Sequence, residues 1–130
     1  MVTVRRAVAG DIPRILELLV QVNMVHHTGR PDLFRGPTTK YTEERLREVL
    51  KDDGAPVFVC TDEAGRVLGH GFCQLKTVPP ELLHLFTDIR TLYVDDICVD
   101  ERCRGQGVGR ALYEHICAYA REQGCYNVQL

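Results

Sequence analysis

The chain has 130 residues, a formal net charge of −2 and a hydrophobic content of 45%. This length fits a single domain that can bury a core, and the lack of a basic excess argues against a nucleic-acid-binding protein. Segment 1–10 lacks the apolar centre of a signal peptide, and no stretch approaches the ~18 apolar residues that a membrane span needs. We therefore expect a cytoplasmic domain with neither nucleic acid nor membrane as a partner.

The N-terminal third predicts a strand, a helix and a long loop. Val2 to Arg6 alternates enough to form a short strand, and Asp11 is expected to cap the helix that follows. Apolar residues recur at helical spacing as far as Val22 and give this helix one buried face. Residues 23–41 lack any period and contain glycine and proline, so a loop is expected there.

The rest of the chain predicts a helix, a hairpin, a fourth strand, a third helix and a fifth strand. Their expected bounds, in that order, are Glu43–Lys51, Val57–Thr61 with Val67–Val78, Ile89–Val99, Gly107–Gln123 and Cys125–Leu130. The third helix connects the last two strands in a β-α-β crossover, so those strands should be adjacent and parallel. The predicted fold class is α+β, with a mixed, mostly antiparallel sheet flanked by helices.

The cysteines are spread along the chain and form no C-x-x-C pair. Without a signal peptide they are expected to be reduced thiols, as in cytoplasmic proteins. Buried thiols that act as small apolar residues are favoured over a zinc site, so no metal is expected. The six positions are Cys60, Cys73, Cys98, Cys103, Cys117 and Cys125.

A glycine-rich stretch, RGQGVG, occupies residues 104–109 between the fourth strand and the third helix. The first turn of a helix exposes unpaired N–H groups and about half a positive charge, which favours an anion there. Glycines remove the side chains that would keep a phosphate away from those amides. The stretch therefore predicts a phosphate site, with positive charge added by Arg102, Arg104 and Arg110.

Three phosphate-binding motifs compete for this stretch. A Walker loop requires a Gly-Lys pair, which the chain lacks, and the dinucleotide fingerprint requires a glycine where Arg110 stands. The pyrophosphate loop of coenzyme A, written Gln/Arg-x-x-Gly-x-Gly/Ala, fits with Arg104, Gly107 and Gly109.

The segment 92–124, LYVDDICVDERCRGQGVGRALYEHICAYAREQG, resembles the GNAT superfamily of acyl-CoA-dependent N-acyltransferases. The order of elements extends the resemblance over nearly the whole chain. It implies the acyl-CoA N-acyltransferase (GNAT) fold, with acetyl-CoA as cosubstrate and direct attack by a primary amine, without an acyl-enzyme. The acceptor would be a small amine, a polyamine or a protein N-terminus. A non-catalytic CoA-binding or dimerising remnant is the alternative.

The same resemblance implies the cofactor contacts. Main-chain groups of Ile97, Cys98 and Val99 would bind the pantetheine arm like an added strand, and Arg104 would supply a cofactor-binding side chain. With Gly105 allowing the turn, the pyrophosphate would bind five successive amides, those of Gln106, Gly107, Val108, Gly109 and Arg110.

A catalytic base is expected because a primary amine, with a pKa of about 10.4, is almost wholly protonated at neutral pH. The stretch YVDDICV resembles the acidic pair of spermidine/spermine acetyltransferases, with Asp95 at their glutamate position and Asp96 at their aspartate position. Adjacent strand residues point to opposite faces, so at most one of the two should face the acyl group unless a bulge intervenes. Asp95 is the expected base, directly or through water; structural roles for both are the alternative.

Histidines supply the remaining candidates. His26 and His27 fall in the predicted loop, which borders the acceptor site in this family, so they either contact substrate or are ordinary loop residues. His70, on the third strand, is expected to be half-buried.

Beyond a fifth strand the family continues with a helix, a nearby tyrosine that protonates the leaving thiolate, and a hairpin. No tyrosine matches that position; Tyr113, Tyr119 and Tyr126 are expected to pack in the helix or strand. Residues 1–130 are therefore expected to form a single N-acetyltransferase (GNAT) domain, C-terminally incomplete and truncated at the fifth strand. A second copy of the chain, in a homodimer, is one way to cover the open edge of that strand.

Overall fold

The computed structural model describes residues 1–36 and 38–130; Pro37, in the predicted loop, lies outside the described residues. The described residues form five strands and three helices in the predicted order. Their bounds are β1 (Thr3–Arg6), α1 (Ile12–Gly29), α2 (Glu43–Leu50), β2 (Val57–Thr61), β3 (Val67–Thr77), β4 (Arg90–Val99), α3 (Val108–Glu122) and β5 (Asn127–Gln129). Among these residues, no helix has both the length and the apolar character needed to cross a membrane.

The strands form one mixed sheet in the order β1-β2-β3-β4-β5. Neighbouring strands are antiparallel from β1 to β4, whereas β5 lies parallel to β4. The parallel pair follows from the crossover through α3, as predicted. The α+β class and the mostly antiparallel sheet are therefore confirmed.

Helices cover both faces of the sheet. On one face, α1 and α2 enclose a core that includes Leu18 and Phe72; on the other, α3 encloses a core that includes Leu112. Gly69 of β3 lets α3 approach closely, because a Cβ there would lie 2.9 Å from Cγ1 of Val108. The sheet is thus the middle layer of three, and β4 lies between α1 and α3.

Helix α1 is longer than the sequence predicts. It continues to Gly29, so residues 23–29 are helical and not part of the loop. None of these residues is buried, so no apolar period marks this end of the helix. The helix ends where the amide of Arg30 donates to the carbonyl of His26 at 2.8 Å.

Two other expectations need correction. The Asp11 carboxylate does not cap α1; it accepts hydrogen bonds from the Val8 amide at 2.8 Å and from the Arg5 guanidinium at 2.8 and 2.9 Å. Strand β5 is limited to Asn127–Gln129 and does not begin at Cys125. The amide of Cys125 instead donates to the carbonyl of Ala120 at 2.9 Å, which closes the end of α3.

Candidate functional site

The glycine-rich stretch forms the loop that leads into α3. Gly105 and Gly107 have φ angles of 83° and 80°, a left-handed conformation that costs glycine little and other residues more. Gly107 is the N-cap residue, and α3 begins at Val108, one residue later than predicted. Nothing lies within 4 Å of a Cβ built on Gly105 or Gly107, so the surface beside them is open.

The amides at this end of α3 are unpaired. Within the described part of the chain, no backbone N–H from Gln106 to Arg110 donates a hydrogen bond. These are the donors that the first turn of any helix leaves without an intrahelical partner. The loop therefore presents five unpaired donors at the positive end of a 15-residue helix, an arrangement suited to an anion.

Asp100 anchors the start of this loop, a role that the sequence analysis did not assign. Its side chain is 1% exposed and accepts from the Arg102 amide at 3.0 Å and from the Arg14 guanidinium of α1. Burial alone would raise the pKa of this carboxyl, but the hydrogen bonds from Arg102 and Arg14 outweigh burial and hold the pKa below its usual range. The glycine loop is thus attached to α1 through a charged, buried carboxylate.

Strand β4 has an open edge beside the loop. Its pairing with β5 involves Thr91 to Tyr93, so from Val94 onward the edge facing β5 has no strand partner among the described residues. A cleft of about 270 Å³ lies there, lined by Gln21, Val22, Ile97, Cys98, Val99 and Arg104. The three residues expected to bind pantetheine and the expected cofactor arginine therefore share one cleft.

The thiol of Cys98 is not part of the chemistry available in this cleft. Its Sγ donates to the Leu18 carbonyl at 3.3 Å inside the core, and burial raises the pKa of the thiol to about 11. The Cys98 carbonyl faces β3, because a Cβ built on Gly69 would lie 2.7 Å from it. Since main-chain groups alternate in direction along a strand, those of Ile97 and Val99 are left to face the open edge.

A β-bulge interrupts β4 at the acidic pair. Phe72 of β3 pairs with Asp96 and the next residue, Cys73, pairs with Val94, so Asp95 has no residue opposite it. The extra residue shifts the alternation of side chains along the strand. Val94 packs in the α3 core, whereas Asp96 lines a cavity on the α1 face.

Because of the bulge, both carboxylates line one cavity. Its volume is about 350 Å³, and it lies between α1, the loop after α1, and β4. The lining residues are Leu19, Val22, Asn23, His26, Phe34, Thr39, Lys40, Asp95 and Asp96. Val22 also lines the cleft beside Ile97, so this acidic cavity and the open edge of β4 adjoin.

The two carboxylates have different surroundings. Asp95 accepts a hydrogen bond from Nζ of Lys40 at 3.2 Å, and its side chain is 27% exposed. Asp96 is half-buried and has no such partner among the described residues. Burial raises the pKa of Asp96 above its ordinary value, and the charge of Asp95 raises it further, although the charge of Lys40 opposes both effects.

Asp95 also borders a second cavity, of about 300 Å³, on its other side. This cavity lies between α2 and the strands, and its polar lining includes Arg45, Asp52 and Gln74. The bulge thus places one carboxylate where two cavities meet, which gives an elongated molecule two directions in which to extend.

The histidines separate into three environments. His26 lines the acidic cavity, and its ring stacks on Phe34 with centroids 5.0 Å apart. His27 does not line that cavity; its Nδ1 lies 2.7 Å from the Phe34 carbonyl. His70 is completely buried, not half-buried as expected, because it stands on a central strand under α1.

Lys40 is the site residue that sequence reasoning missed. It lies in the irregular segment before α2, where neither periodicity nor a motif indicates what a side chain contacts. The tyrosines also depart from expectation in part: Tyr119 packs against Phe58, with centroids 5.2 Å apart, but Tyr113 and Tyr126 are exposed. Among the described residues, no group of three or more metal-ligating side chains could hold a metal ion.

The loop, the open strand edge and the α+β sheet together define an acetyltransferase of the GNAT class. The family model described as the acetyltransferase (GNAT) family matches residues 22–130. The chain therefore belongs to the acetyltransferase (GNAT) family, and the resemblance seen in the sequence is confirmed.

Solved structures agree with this assignment. The tetramutant of the BH1408 protein from Bacillus halodurans superposes with a TM-score of 0.87 at 28% identity, covering 98% of this chain and 81% of that chain. Glucosamine-6-phosphate N-acetyltransferase from Arabidopsis thaliana superposes with a TM-score of 0.72 at 21% identity, covering 98% of this chain and 80% of that chain. At 21% identity, the similarity to the Arabidopsis thaliana enzyme shows a shared fold alone.

One curated protein matches over a short segment. Glucosamine 6-phosphate N-acetyltransferase from Trypanosoma brucei brucei is 42% identical over 38 residues, which are 29% of this chain and 26% of that protein. The chain thus aligns with about a quarter of this relative.

Proposed function

We propose that the chain transfers the acetyl group of acetyl-CoA to a primary amine bound in the acidic cavity. The observation that carries this proposal is the continuity of two sites along β4. The cofactor cleft includes Ile97 and the acidic cavity includes Asp96, the preceding residue, while Val22 borders both. A thioester held along the strand edge would then end beside the two carboxylates.

Different residues of the chain would bind different chemical groups of the cofactor. The unpaired amides of Gln106 to Arg110 would bind the pyrophosphate, because backbone donors at a helix N-terminus favour anions. Arg104 adds a fork-shaped cationic donor at the mouth of the cleft. The main chain of β4 from Ile97 to Val99 would pair with the amide groups of the pantetheine arm.

The sequence alone favours Asp95 as the base; we instead propose Asp96 as the base and Asp95 as the anchor for the ammonium group. Asp95 already accepts a hydrogen bond from the ammonium group of Lys40, so it is placed to bind a charged amine. A base is most effective when its pKa approaches the operating pH, and burial moves the pKa of Asp96 in that direction. Asp96 would take one proton from the ammonium, and the neutral nitrogen would then attack the thioester carbonyl.

The charge of the cavity favours a cationic acceptor. Two carboxylates face one lysine there, so a polyamine is the first acceptor that we propose, and the second cavity beside Asp95 leaves room for its chain. The short match to a glucosamine 6-phosphate N-acetyltransferase makes an amino-sugar phosphate the second. A protein N-terminus is the third.

The test is CoA release measured with a panel of these amines, beside the thermal shift that acetyl-CoA causes alone. Turnover of any primary amine supports the proposal. A thermal shift without turnover would support the alternative, a CoA-binding protein that does not catalyse. The absence of both would contradict the proposed function.

Assembly and location are further parts of the proposal. Strand β5 pairs with β4 alone among the described residues, and Tyr126 beside it is 73% exposed. These observations support a homodimer that covers this edge. Light scattering at several protein concentrations would test it.

The six free cysteines support a reducing, cytoplasmic location, which labelling of the intact protein in cells would test.

A further inference from the structure

We propose that Lys40 is a self-acetylation site: its ε-amine occupies the acceptor position and takes the acetyl group when no free amine is bound. This inference rests on the proposed function, since the acetyl donor is the same acetyl-CoA. What is new is the second acceptor, a lysine of the chain itself, which becomes acetylated.

The geometry places an internal primary amine where an acceptor amine belongs. Nζ of Lys40 lies 3.2 Å from Oδ2 of Asp95, the carboxylate proposed to anchor the substrate ammonium. Lys40 lines the same cavity as Asp96, and its ammonium lies 5.4 Å from the centre of the Tyr41 ring. A lysine side chain carries the same nucleophile as a free primary amine, and it is already held within the site.

The other lysines lack this placement. Lys76 extends over the Tyr93 ring with its Nζ 4.4 Å from the ring centre, and Lys51 follows the end of α2. Both are exposed, as is the Lys40 side chain at 53%, but neither lines the acidic cavity. They therefore serve as internal controls, because non-enzymatic acetylation by acetyl-CoA would modify any exposed lysine.

The step balances without another reactant. One proton leaves the Lys40 ammonium for the Asp96 carboxylate, and the nitrogen lone pair attacks the thioester carbonyl carbon. The C–N bond forms and the C–S bond breaks. A second proton passes from nitrogen to the CoA sulfur, so the products are N-acetyl-Lys40 and free CoA, with one proton released from Asp96 to solvent.

The ion pair controls how readily this step occurs. Burial lowers the pKa of Lys40, but the hydrogen bond and the charge of Asp95 outweigh burial and hold that pKa above its ordinary value. Most Lys40 side chains are therefore ammonium at neutral pH. The self-acetylation rate should rise with pH as the neutral amine becomes more abundant.

The experiment incubates the full chain with acetyl-CoA and no amine, and follows acetylation of Lys40, Lys51 and Lys76 by peptide mass spectrometry. Proximity and a positioned base should make Lys40 at least about tenfold faster than the other two lysines. The rate at Lys40 should not depend on protein concentration, because the transfer is intramolecular. An excess of an acceptor amine should slow Lys40 without affecting Lys51 and Lys76.

Variants distinguish self-acetylation in the site from non-enzymatic acetylation of an exposed lysine. Asp96→Asn and Gly107→Val should each lower the rate at Lys40 to that of Lys51, whereas Lys76→Arg should leave the rate at Lys40 unchanged. Equal rates at all three lysines, in a protein that turns over free amines, would overturn this inference and leave the proposed function intact. A chain that neither binds acetyl-CoA nor acetylates amines would overturn both.

Discussion

Arg14 of α1 and Asp100, the residue that follows β4, form an ion pair in which the aspartate side chain is 1% exposed and the arginine side chain 15%. The aspartate also accepts from the Arg102 amide, so the same carboxylate orders the turn that leads into the glycine loop. Helix α1 and the proposed pyrophosphate site are therefore mechanically connected.

Asp100→Asn should lower the free energy of unfolding by about 1.5–3 kcal/mol, because it weakens buried hydrogen bonds to a charged group. Affinity for CoA should fall as well, since the loop loses its anchor. Glu48→Gln is the matched control: it removes an exposed ion pair with Arg45 and should cost at most about 1 kcal/mol. Chemical denaturation and calorimetric titration with CoA would measure the two effects. Equal stabilities for both variants would contradict the role assigned to Asp100.

Gly107→Val should abolish the thermal shift caused by CoA, because a branched side chain would occupy the space in which we propose that the pyrophosphate binds. The variant should also lose about 1–2 kcal/mol of stability from the left-handed backbone. Gly65→Val is the control, since Gly65 has a φ of 84° in the hairpin turn, far from the loop in sequence. It should lose comparable stability and keep the CoA shift. If both variants keep the shift, the assignment of the loop is wrong.

Asp96→Asn should lower kcat at neutral pH by about 10²–10⁴-fold, the usual contribution of a general base. The loss should shrink as the pH approaches about 10.4, where the amine arrives neutral. In the parent enzyme the rate should rise with pH as Asp96 deprotonates, and burial places that rise above the ordinary range of an aspartate.

Asp95→Asn should chiefly raise KM for cationic amines, because the amide cannot pair with an ammonium. Its affinity for CoA should remain close to that of the parent enzyme. Steady-state kinetics across pH with both variants would separate the two roles. If neither substitution changes the pH–rate profile, the acidic pair is structural.

His70→Leu should make the protein more stable in acid. His70 is completely buried, its ring nitrogens have no partner among the described residues, and burial lowers its pKa from 6.5 to about 4. Between those values the unfolded chain binds more protons than the folded one, so this histidine's contribution to stability is complete above pH 6.5 and is lost as pH falls toward 4.

The lowered pKa of His70 corresponds to about 2–4 kcal/mol of folding stability lost in acid. His70→Leu should remove this loss. Thermal denaturation from pH 7 to pH 4 would measure it. His84→Gln is the control, because His84 is exposed and should leave the pH dependence of the melting temperature unchanged. If His70→Leu still loses stability steeply as the pH falls, another group causes the effect.

The elements and the glycine loop were predictable because local patterns specify them. Alternation marks the strands, and a run of glycines before an amphipathic helix marks the loop that leads into that helix; its binding of phosphate stays a prediction. The C-terminal end of α1 was not predictable, since residues 23–29 are not buried and leave no apolar period. The complete burial of His70 was missed for a related reason: the covering of this face of β3 by helices is a tertiary feature that the strand's own sequence does not specify.

The arrangement of the acidic pair depends on tertiary structure. Whether Asp95 and Asp96 share a face is decided by the register between β3 and β4, which neither strand specifies alone. The pairing of Lys40 with Asp95 depends on how the segment before α2 folds over the strand edge. Charged residues in irregular segments carry no signal of the partner that they will find.

Asp95 is a residue in excess of what the sheet requires. If it were deleted, Val94 and Asp96 would become consecutive, and each would still point to the face that it occupies now. The shorter strand would be regular, with a continuous ladder against β3. Such a chain should be at least as easy to fold, but it would lack the irregularity beside which both cavities lie. The protein thus retains a longer strand than its core needs, and selection on stability alone would favour its loss.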